Sequence, residues 1–458
     1  MELKAFSKEE MIYLVSLGCS KNLVDSEVMQ GVLAQAGYAF TARKEDADII
    51  IVNTCAFIED ATKEAFDTIV SLAEQKKSGQ CRHLIVCGCL PQRYKESLIQ
   101  ELPEVDLFLG TGEFPRIAQY IKRLQDDHRT VKIFTERPTF LPGPNTPRIL
   151  ATPRHSAYVK IAEGCSHRCT YCTIPAIRGP YQSRPPGSIV AEVKHLAALG
   201  VKEIHLIAQD TTRYGLERGQ KDDLTALLKK LVRIPDITWL RLLYCHPLAI
   251  TDALISLLAA EQKICSYLDL PLQHISDPVL KRMGRRITGQ RIEKLLCALR
   301  EKVPDISLRT TFMVGFPGET ERDFSSLLKF VAEFEFEHLG VFRYRDEEGT
   351  PASKLSPKVP EKIKEERYHA IMSLQAKISR KKNRARTGQQ TDVLVEGPSQ
   401  KKGFALQGRA VFQAPEVDGM VYIKEGRAAA GSFVTVRITR GLIYDLVGEM
   451  VGREQLKK

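Results

Sequence analysis

Three cysteines in Cys165-Ser-His-Arg-Cys169-Thr-Tyr-Cys172 have the type and spacing to hold a metal centre while leaving it one ligand short. A closed structural zinc site takes four protein ligands, whereas a site built for chemistry keeps one position open. Iron–sulfur cubanes are normally held by four thiolates, so a three-cysteine loop points to a cubane with one iron free to bind a reactant. A zinc knuckle is the alternative, with His167 or a distant cysteine as fourth ligand, because short cysteine spacings also mark zinc.

A second cysteine set emerges only from the elements around it. Cys19, Cys55 and Cys89 occur as Leu17-Gly18-Cys19, Asn53-Thr54-Cys55 and Cys87-Gly88-Cys89. Each follows a short run rich in Val, Ile and Leu, at 12–17, 48–52 and 83–87, and a fourth run lies at 105–109. Such runs suit strands buried on both faces of a parallel sheet. Helical periodicity at 24–36, stopped by Gly37, and at 61–73 supplies crossovers. The expectation is an N-terminal parallel α/β sheet domain. Open parallel sheets collect ligands outside their strand carboxyl ends, where the three thiols could converge on one point. Three unrelated buried thiols are the other reading, since free Cys is among the most buried residue types. Cys81, Cys87, Cys245, Cys265 and Cys297 lack this pattern and are read as structural.

The stretch Pro138-Thr-Phe-Leu-Pro142-Gly-Pro144-Asn-Thr-Pro147 reads as a stiff linker. Six candidate strands follow, at 158–161, 203–208, 239–243, 267–270, 308–314 and 338–342, separated by helical segments such as 189–199 and 224–232. Repeated strand–helix units imply a parallel barrel, and six are too few to close an eight-stranded one. A partial (β/α)6 barrel is expected, with its active site at the strand C-terminal ends, where the Cys165 loop sits. A helix at 361–386 ends in a basic run: Lys377, Arg380, Lys381, Lys382, Arg384 and Arg386. Short strands at 392–395, 405–412, 421–423, 433–438 and 443–447 then suggest a small antiparallel β-barrel. The expected division is 1–137, a linker at 138–152, 153–382 and 383–458.

Composition bounds the function. A chain of 458 residues with 43% hydrophobic and 27% charged residues has ample material for globular cores. The opening residues carry acidic side chains and no apolar h-region, and no uncharged apolar run approaches the roughly 18 residues of a membrane helix. A signal peptide and a membrane span are therefore not expected. Eleven cysteines in a chain this long fit metal ligands and buried thiols in a reducing cytoplasm better than a disulfide scaffold. The net charge of +11 suits an acidic partner such as RNA or a ribosome.

The two cysteine triplets, in this order and with this third domain, resemble the radical S-adenosylmethionine methylthiotransferases over essentially the whole chain. The Cys-x3-Cys-x2-Cys loop is the mark of the wider superfamily, and the N-terminal triplet with a C-terminal TRAM barrel marks this branch. Within it, Ser16-Leu-Gly-Cys19-Ser-Lys-Asn22-Leu-Val-Asp25-Ser-Glu27 resembles the RimO type, which modifies an aspartate of ribosomal protein S-twelve. The tRNA-adenosine-modifying branch typically carries Gln-Met-Asn after that cysteine. Gln209-Asp-Thr-Thr-Arg-Tyr-Gly215, Tyr267-Leu-Asp269-Leu-Pro-Leu-Gln273-His274 and Ala414-Pro-Glu-Val-Asp-Gly419 are also RimO-like. Gln413 stands where the family often has Asp. A non-catalytic zinc-dependent RNA-binding protein is the remaining, less favoured alternative.

The resemblance implies two [4Fe–4S] clusters, one on Cys165, Cys169 and Cys172 and one on Cys19, Cys55 and Cys89. The first would bind S-adenosylmethionine through its open iron; the second would present the sulfur. A 5′-deoxyadenosyl radical would remove a hydrogen from the aspartate β-carbon, a C–H too weakly acidic for any side-chain base within the usual reach of tuned pKa values. No catalytic side chain beyond the cluster ligands is expected. Tyr171 is implied beside the adenine, and Gly315 in Met313-Val-Gly315-Phe-Pro-Gly318-Glu319 at a turn that lets backbone approach it. Gln209 and Gln273, at strand ends, would hydrogen-bond methionine or ribose, or else serve packing and turn capping. An electron donor such as flavodoxin or ferredoxin and a possible RNA contact complete the implied partners.

Overall fold

The protein is described by a computed structural model covering residues 10–126, 132–219 and 223–451. Its chain forms two compact units: 1–151 with 162–167 and 172–188, and 152–161 with 168–171 and 189–458.

The first unit is built on a six-stranded parallel sheet. Its order is Ala39–Phe40, Met11–Ser16, Ile49–Thr54, His83–Gly88, Leu107–Leu109 and Lys132–Phe134. Successive side chains on a strand point to opposite faces, and both faces are apolar here. Ile50, Val52, Leu84 and Val86 pack with Ala65, Ile69 and Leu72 on one side. Ile49, Ile51 and Ile85 pack with Val28, Met29, Leu33 and Ile121 on the other. At about 2 kcal/mol for each such fully buried aliphatic side chain, double-sided burial explains the continuous runs. Two edge strands, Ala39–Phe40 and Lys132–Phe134, were not expected, because two or three residues carry no periodic signal. The proline-rich stretch is packed rather than free. Phe140 lies edge-on to Phe114, and Arg148 pairs with the fully buried Glu27 at 2.5 Å.

The second unit carries six parallel strands in an open sheet, Ser156–Lys160, Glu203–Ile207, Trp239–Leu242, Ile264–Gln273, Ser307–Val314 and His338–Arg343, each beside the next. This is the expected partial barrel. Helices Asp252–Ala260, Gly289–Lys302 and Glu321–Phe334 start where Thr251, Thr288 and Thr320 accept the N–H three residues on. The strand Ile264–Gln273 runs through Pro271, which has no N–H to give a ladder. A register shift between Leu270 and Gln273 absorbs the break, so the strand is longer than the apolar run at 267–270.

The C-terminal strands close into a barrel in the order Gln390–Pro398, Leu406–Ala410, Val421–Ile423, Leu446–Met450 and Phe433–Gly441. Four pairings are antiparallel, but Val421–Ile423 and Leu446–Met450 run parallel, a departure from the all-antiparallel expectation. The barrel docks on the strand starts of the open sheet. Arg409 pairs with Glu203, Arg241 donates to the carbonyl of Val411 at 2.7 Å, and the Tyr267 hydroxyl donates to Asp418 at 2.8 Å. The carboxyl ends of the strands, where parallel sheets do chemistry, lie at the other edge.

Candidate active site

In the first unit the strand ends are level: Ser16 pairs with Asn53 and Thr54 with Gly88. Cys19 is the N-cap of helix Ser20–Gln35, Cys55 directly follows its strand, and Cys89 opens helix Cys89–Tyr94. Two glycines make the approach possible. Gly18, at φ +89°, would place a Cβ 2.5 Å from that of Cys55, and Gly88, at φ +97°, would place one 2.4 Å from Asn53 Oδ1. Only glycine takes such angles without strain.

Buried amides knit these loops. The Asn22 side chain donates to the carbonyls of Thr54 at 2.8 Å and Leu17 at 3.1 Å, while Asn53 donates to the carbonyl of Asn22 at 2.9 Å and to Ser26 Oγ at 2.8 Å. The three thiols lie close enough to feel one another's charge. Burial, then Cys89 and Cys19, push the Cys55 thiol up to about 12. Burial also raises Cys89 against the opposing charge of Arg178. For Cys19 the burial is overcome by Lys21, Arg178 and the N–H groups of Asn22 and Lys21, which hold it below its ordinary value. An all-sulfur donor set at the mouth of a parallel sheet, with a buried guanidinium among the thiols, fits a cubane held by three thiolates.

Of the second triplet, Cys165 and Cys172 belong to the first unit, while Cys169 and Tyr171 belong to the second. Cys165 is nearly buried and donates its N–H to the carbonyl of Gly179 at 3.0 Å. Thr170 is held by the carbonyls of Met283 and Arg282, at 3.0 and 2.8 Å. Tyr171 packs edge-on to Phe316, at 6.3 Å between centroids, against the buried cluster that Phe316 forms with Val279, Met283 and Tyr344.

At the carboxyl edge of the open sheet, three adjacent strands end in left-handed backbone: Tyr244 at φ 57°, Gln273 at φ 72° and Gly315 at φ 72°. For a non-glycine residue this costs about 1 kcal/mol, and such strain gathers at functional sites. Asp269 fixes the first of these turns by accepting the N–H of Tyr244 at 3.0 Å. Gln273 Oε1 is buried and has no hydrogen-bond partner among the described residues, which leaves it an open acceptor. Gln209 is half-buried, two residues beyond its strand. The Gly315 turn is pinned by Glu319, which accepts the Phe316 N–H at 3.0 Å and pairs with Arg367 at 3.0 Å. Burial pushes the Glu319 carboxyl up to about 7 despite Arg367 and the amides.

Profiles for known families match three segments: Uncharacterized protein family UPF0004 at 11–110, the Radical SAM superfamily at 159–331 and the TRAM domain at 387–451. The ribosomal protein uS12 methylthiotransferase RimO of Pelobacter propionicus is 50% identical over 98% of this chain and 99% of its own length. That of Geobacter sulfurreducens is 50% identical over 97% and 99%. The chain belongs to the RimO family. Among solved structures, the radical S-adenosylmethionine methyltransferase TsrM of Kitasatospora setae matches with a TM-score of 0.57 over 75% of each chain, at 17% identity. That likeness is one of fold.

RimO membership accounts for the enzyme class and the three architectures read from the sequence. Sequence reasoning missed Arg178, Asp269 and the Glu319–Arg367 pair. Glu319 was visible as the end of the Gly315 motif and Asp269 as part of the Tyr267 motif. Arg178 carried no local signal. Cys297, read as structural, is exposed, unlike Cys81, Cys87, Cys245 and Cys265. Gln413, the departure from the family pattern, is buried and accepts the N–H of Ala410 at 3.0 Å, so it closes a barrel turn.

Proposed function

We propose that this chain adds a methylthio group to the β-carbon of an aspartate in ribosomal protein uS12, using S-adenosylmethionine and two [4Fe–4S] clusters. The observation that carries the reading is the convergence of Cys19, Cys55 and Cys89 at level strand ends, in a chain half identical to RimO relatives over nearly its whole length. Cys165, Cys169 and Cys172 would hold one cluster and Cys19, Cys55 and Cys89 the other. When bound, the clusters supply reductive cleavage of the sulfonium and a site for the transferred sulfur, chemistry that no side chain offers. The chain itself binds and orients. Tyr171 and the Gly315 turn receive the adenine, and the open acceptor of Gln273, with Gln209, receives the ribose or methionine donors.

The proposed division is a methylthiotransferase segment at 1–137, a linker at 138–152, the radical domain at 153–382 and the TRAM barrel at 383–458. Arg380, Arg384 and Arg440 line a cleft of about 750 Å³ with Thr439 and Tyr444, a surface suited to RNA phosphates near the substrate protein. Among the described residues no helix is long and apolar enough to cross a membrane. A cytoplasmic enzyme fed by a flavodoxin or ferredoxin fits this chemistry.

Mass spectrometry of ribosomal proteins and tRNA from a strain lacking the chain tests the reading. Loss of the methylthio group from uS12 with tRNA unchanged is expected. Loss from a tRNA adenosine with uS12 intact would transfer the assignment to the tRNA-modifying branch.

A further inference from the structure

Arg178 follows Cys172 by six residues and ends the short helix Ile174–Arg178. Thr111 anchors that helix by donating its hydroxyl to the carbonyl of Ile177 at 2.8 Å. From there the guanidinium enters the crevice of the other cysteine set and is 2% exposed. Nη1 pairs with Asp25 Oδ2 at 2.6 Å and lies 3.6 Å from Glu163 Oε2. Nη2 donates to Asn22 Oδ1 and to Cys89 Sγ, the latter at 3.6 Å. The two carboxylates balance the charge of the buried cation, but both meet Nη1 and leave the other donors of the guanidinium to other acceptors. One arm of the fork is turned toward sulfur.

We propose that Arg178 is a positioning and tuning residue for the centre on Cys19, Cys55 and Cys89; this rests on reading those thiols as cluster ligands. Its N–H bond to Cys89 and its fixed charge stabilise added electron density on that centre, because hydrogen bonds to sulfur and net charge set iron–sulfur potentials. Asp25, on the far side of the guanidinium, acts in the opposite sense. The neighbouring Gly179 carbonyl accepts the Cys165 N–H. The adjacent residues Arg178 and Gly179 therefore set the charge at this centre and anchor the start of the Cys165 loop.

The test is an EPR-monitored redox titration of the full chain with Cys165, Cys169 and Cys172 replaced by Ala, so that only the N-terminal centre is loaded, with iron counted in each sample. Arg178→Gln should move the midpoint to more negative potential, Arg178→Lys should move it less, and Asp25→Asn should move it the other way. A merely structural role does not predict opposite signs for the two charge removals. Unchanged midpoints with iron retained would overturn the proposal. Should Arg178→Gln lose its iron, retention by Arg178→Lys supports the charge role, and loss from both overturns it. A parent background that binds no iron would instead refute the ligand assignment itself, and this proposal with it.

Discussion

Arg409 Nη2 and Glu203 Oε2 meet at 2.5 Å, with side chains 1% and 0% exposed, and the pair fastens the TRAM barrel to the start of a radical-domain strand. Burial pushes Glu203 up, but Arg409, His205 and Arg241 together hold its carboxyl well below the usual range. Removing one partner of a buried pair costs more than the pair contributes, because a charge is left uncompensated. Arg409→Leu should therefore destabilise the chain by about 3–5 kcal/mol, read as a lower denaturant midpoint and easier proteolysis between the helix Glu361–Ala385 and the barrel. Glu203→Leu should cost more, because it strands both Arg409 and Arg241, whereas Arg409→Leu leaves Glu203 its pair with Arg241. Additive effects of the two substitutions in a double-variant cycle would rule out direct coupling.

The unpaired acceptor at Gln273 separates binding from stability. Its backbone is left-handed, so Gln273→Gly relieves about 1 kcal/mol of strain while removing Oε1. Loss of one hydrogen bond weakens an interaction by roughly 0.5–1.5 kcal/mol, or about 2- to 12-fold in affinity. The variant should melt no lower than the parent and bind S-adenosylmethionine several-fold more weakly in anaerobic calorimetry. Unaltered affinity would assign Gln273 to packing alone.

Next to it, His274 is fully buried, with Nδ1 accepting the Ser276 N–H at 3.0 Å. Burial holds its pKa down to about 4, against about 6.5 when unfolded. Between those values the unfolded chain binds more protons, so stability rises with pH across that window and is lost as pH falls from 6.5 toward 4. The full loss is on the order of 3 kcal/mol. His274→Asn keeps an acceptor for Ser276 and cannot titrate. Its stability relative to the parent should improve progressively from pH 6.5 to pH 4. A constant difference across that range would mean that His274 does not drive the acid limb.

Much of this architecture was legible in the sequence, for identifiable reasons. Strands buried on both faces write continuous apolar runs, so Ile49–Thr54 and His83–Gly88 stood out, and reading one residue past their ends located Cys55 and Cys89. Edge strands of two or three residues, such as Ala39–Phe40, write nothing. The run at 267–270 marks only the middle of Ile264–Gln273, because the strand goes on through Pro271 and the register shift that allows this is a tertiary effect. Arg178 lies 89 residues from Cys89 and 153 from Asp25, so no window of sequence joins them. The left-handed turn at Gln273 was equally silent, since strain at a non-glycine residue leaves no compositional trace.

The two cysteine sets should fail in different ways. Each loaded cubane brings four irons, so the parent should carry about eight per chain after anaerobic reconstitution, with matching sulfide. Cys55→Ala removes a thiol whose neighbours are Cys89 and Cys19, in a crevice formed wholly within the first unit. That variant should fall to about four irons yet still cleave S-adenosylmethionine to methionine and 5′-deoxyadenosine. Cys169→Ala lies in the other loop and should also fall to about four irons, but with cleavage abolished. Neither should insert a methylthio group, the first for want of the sulfur-presenting centre and the second for want of the radical. Product analysis by mass spectrometry alongside iron counting separates these cases. Insertion surviving in Cys55→Ala would remove the N-terminal triplet from the chemistry. Cleavage surviving in Cys169→Ala would do the same for the Cys165 loop.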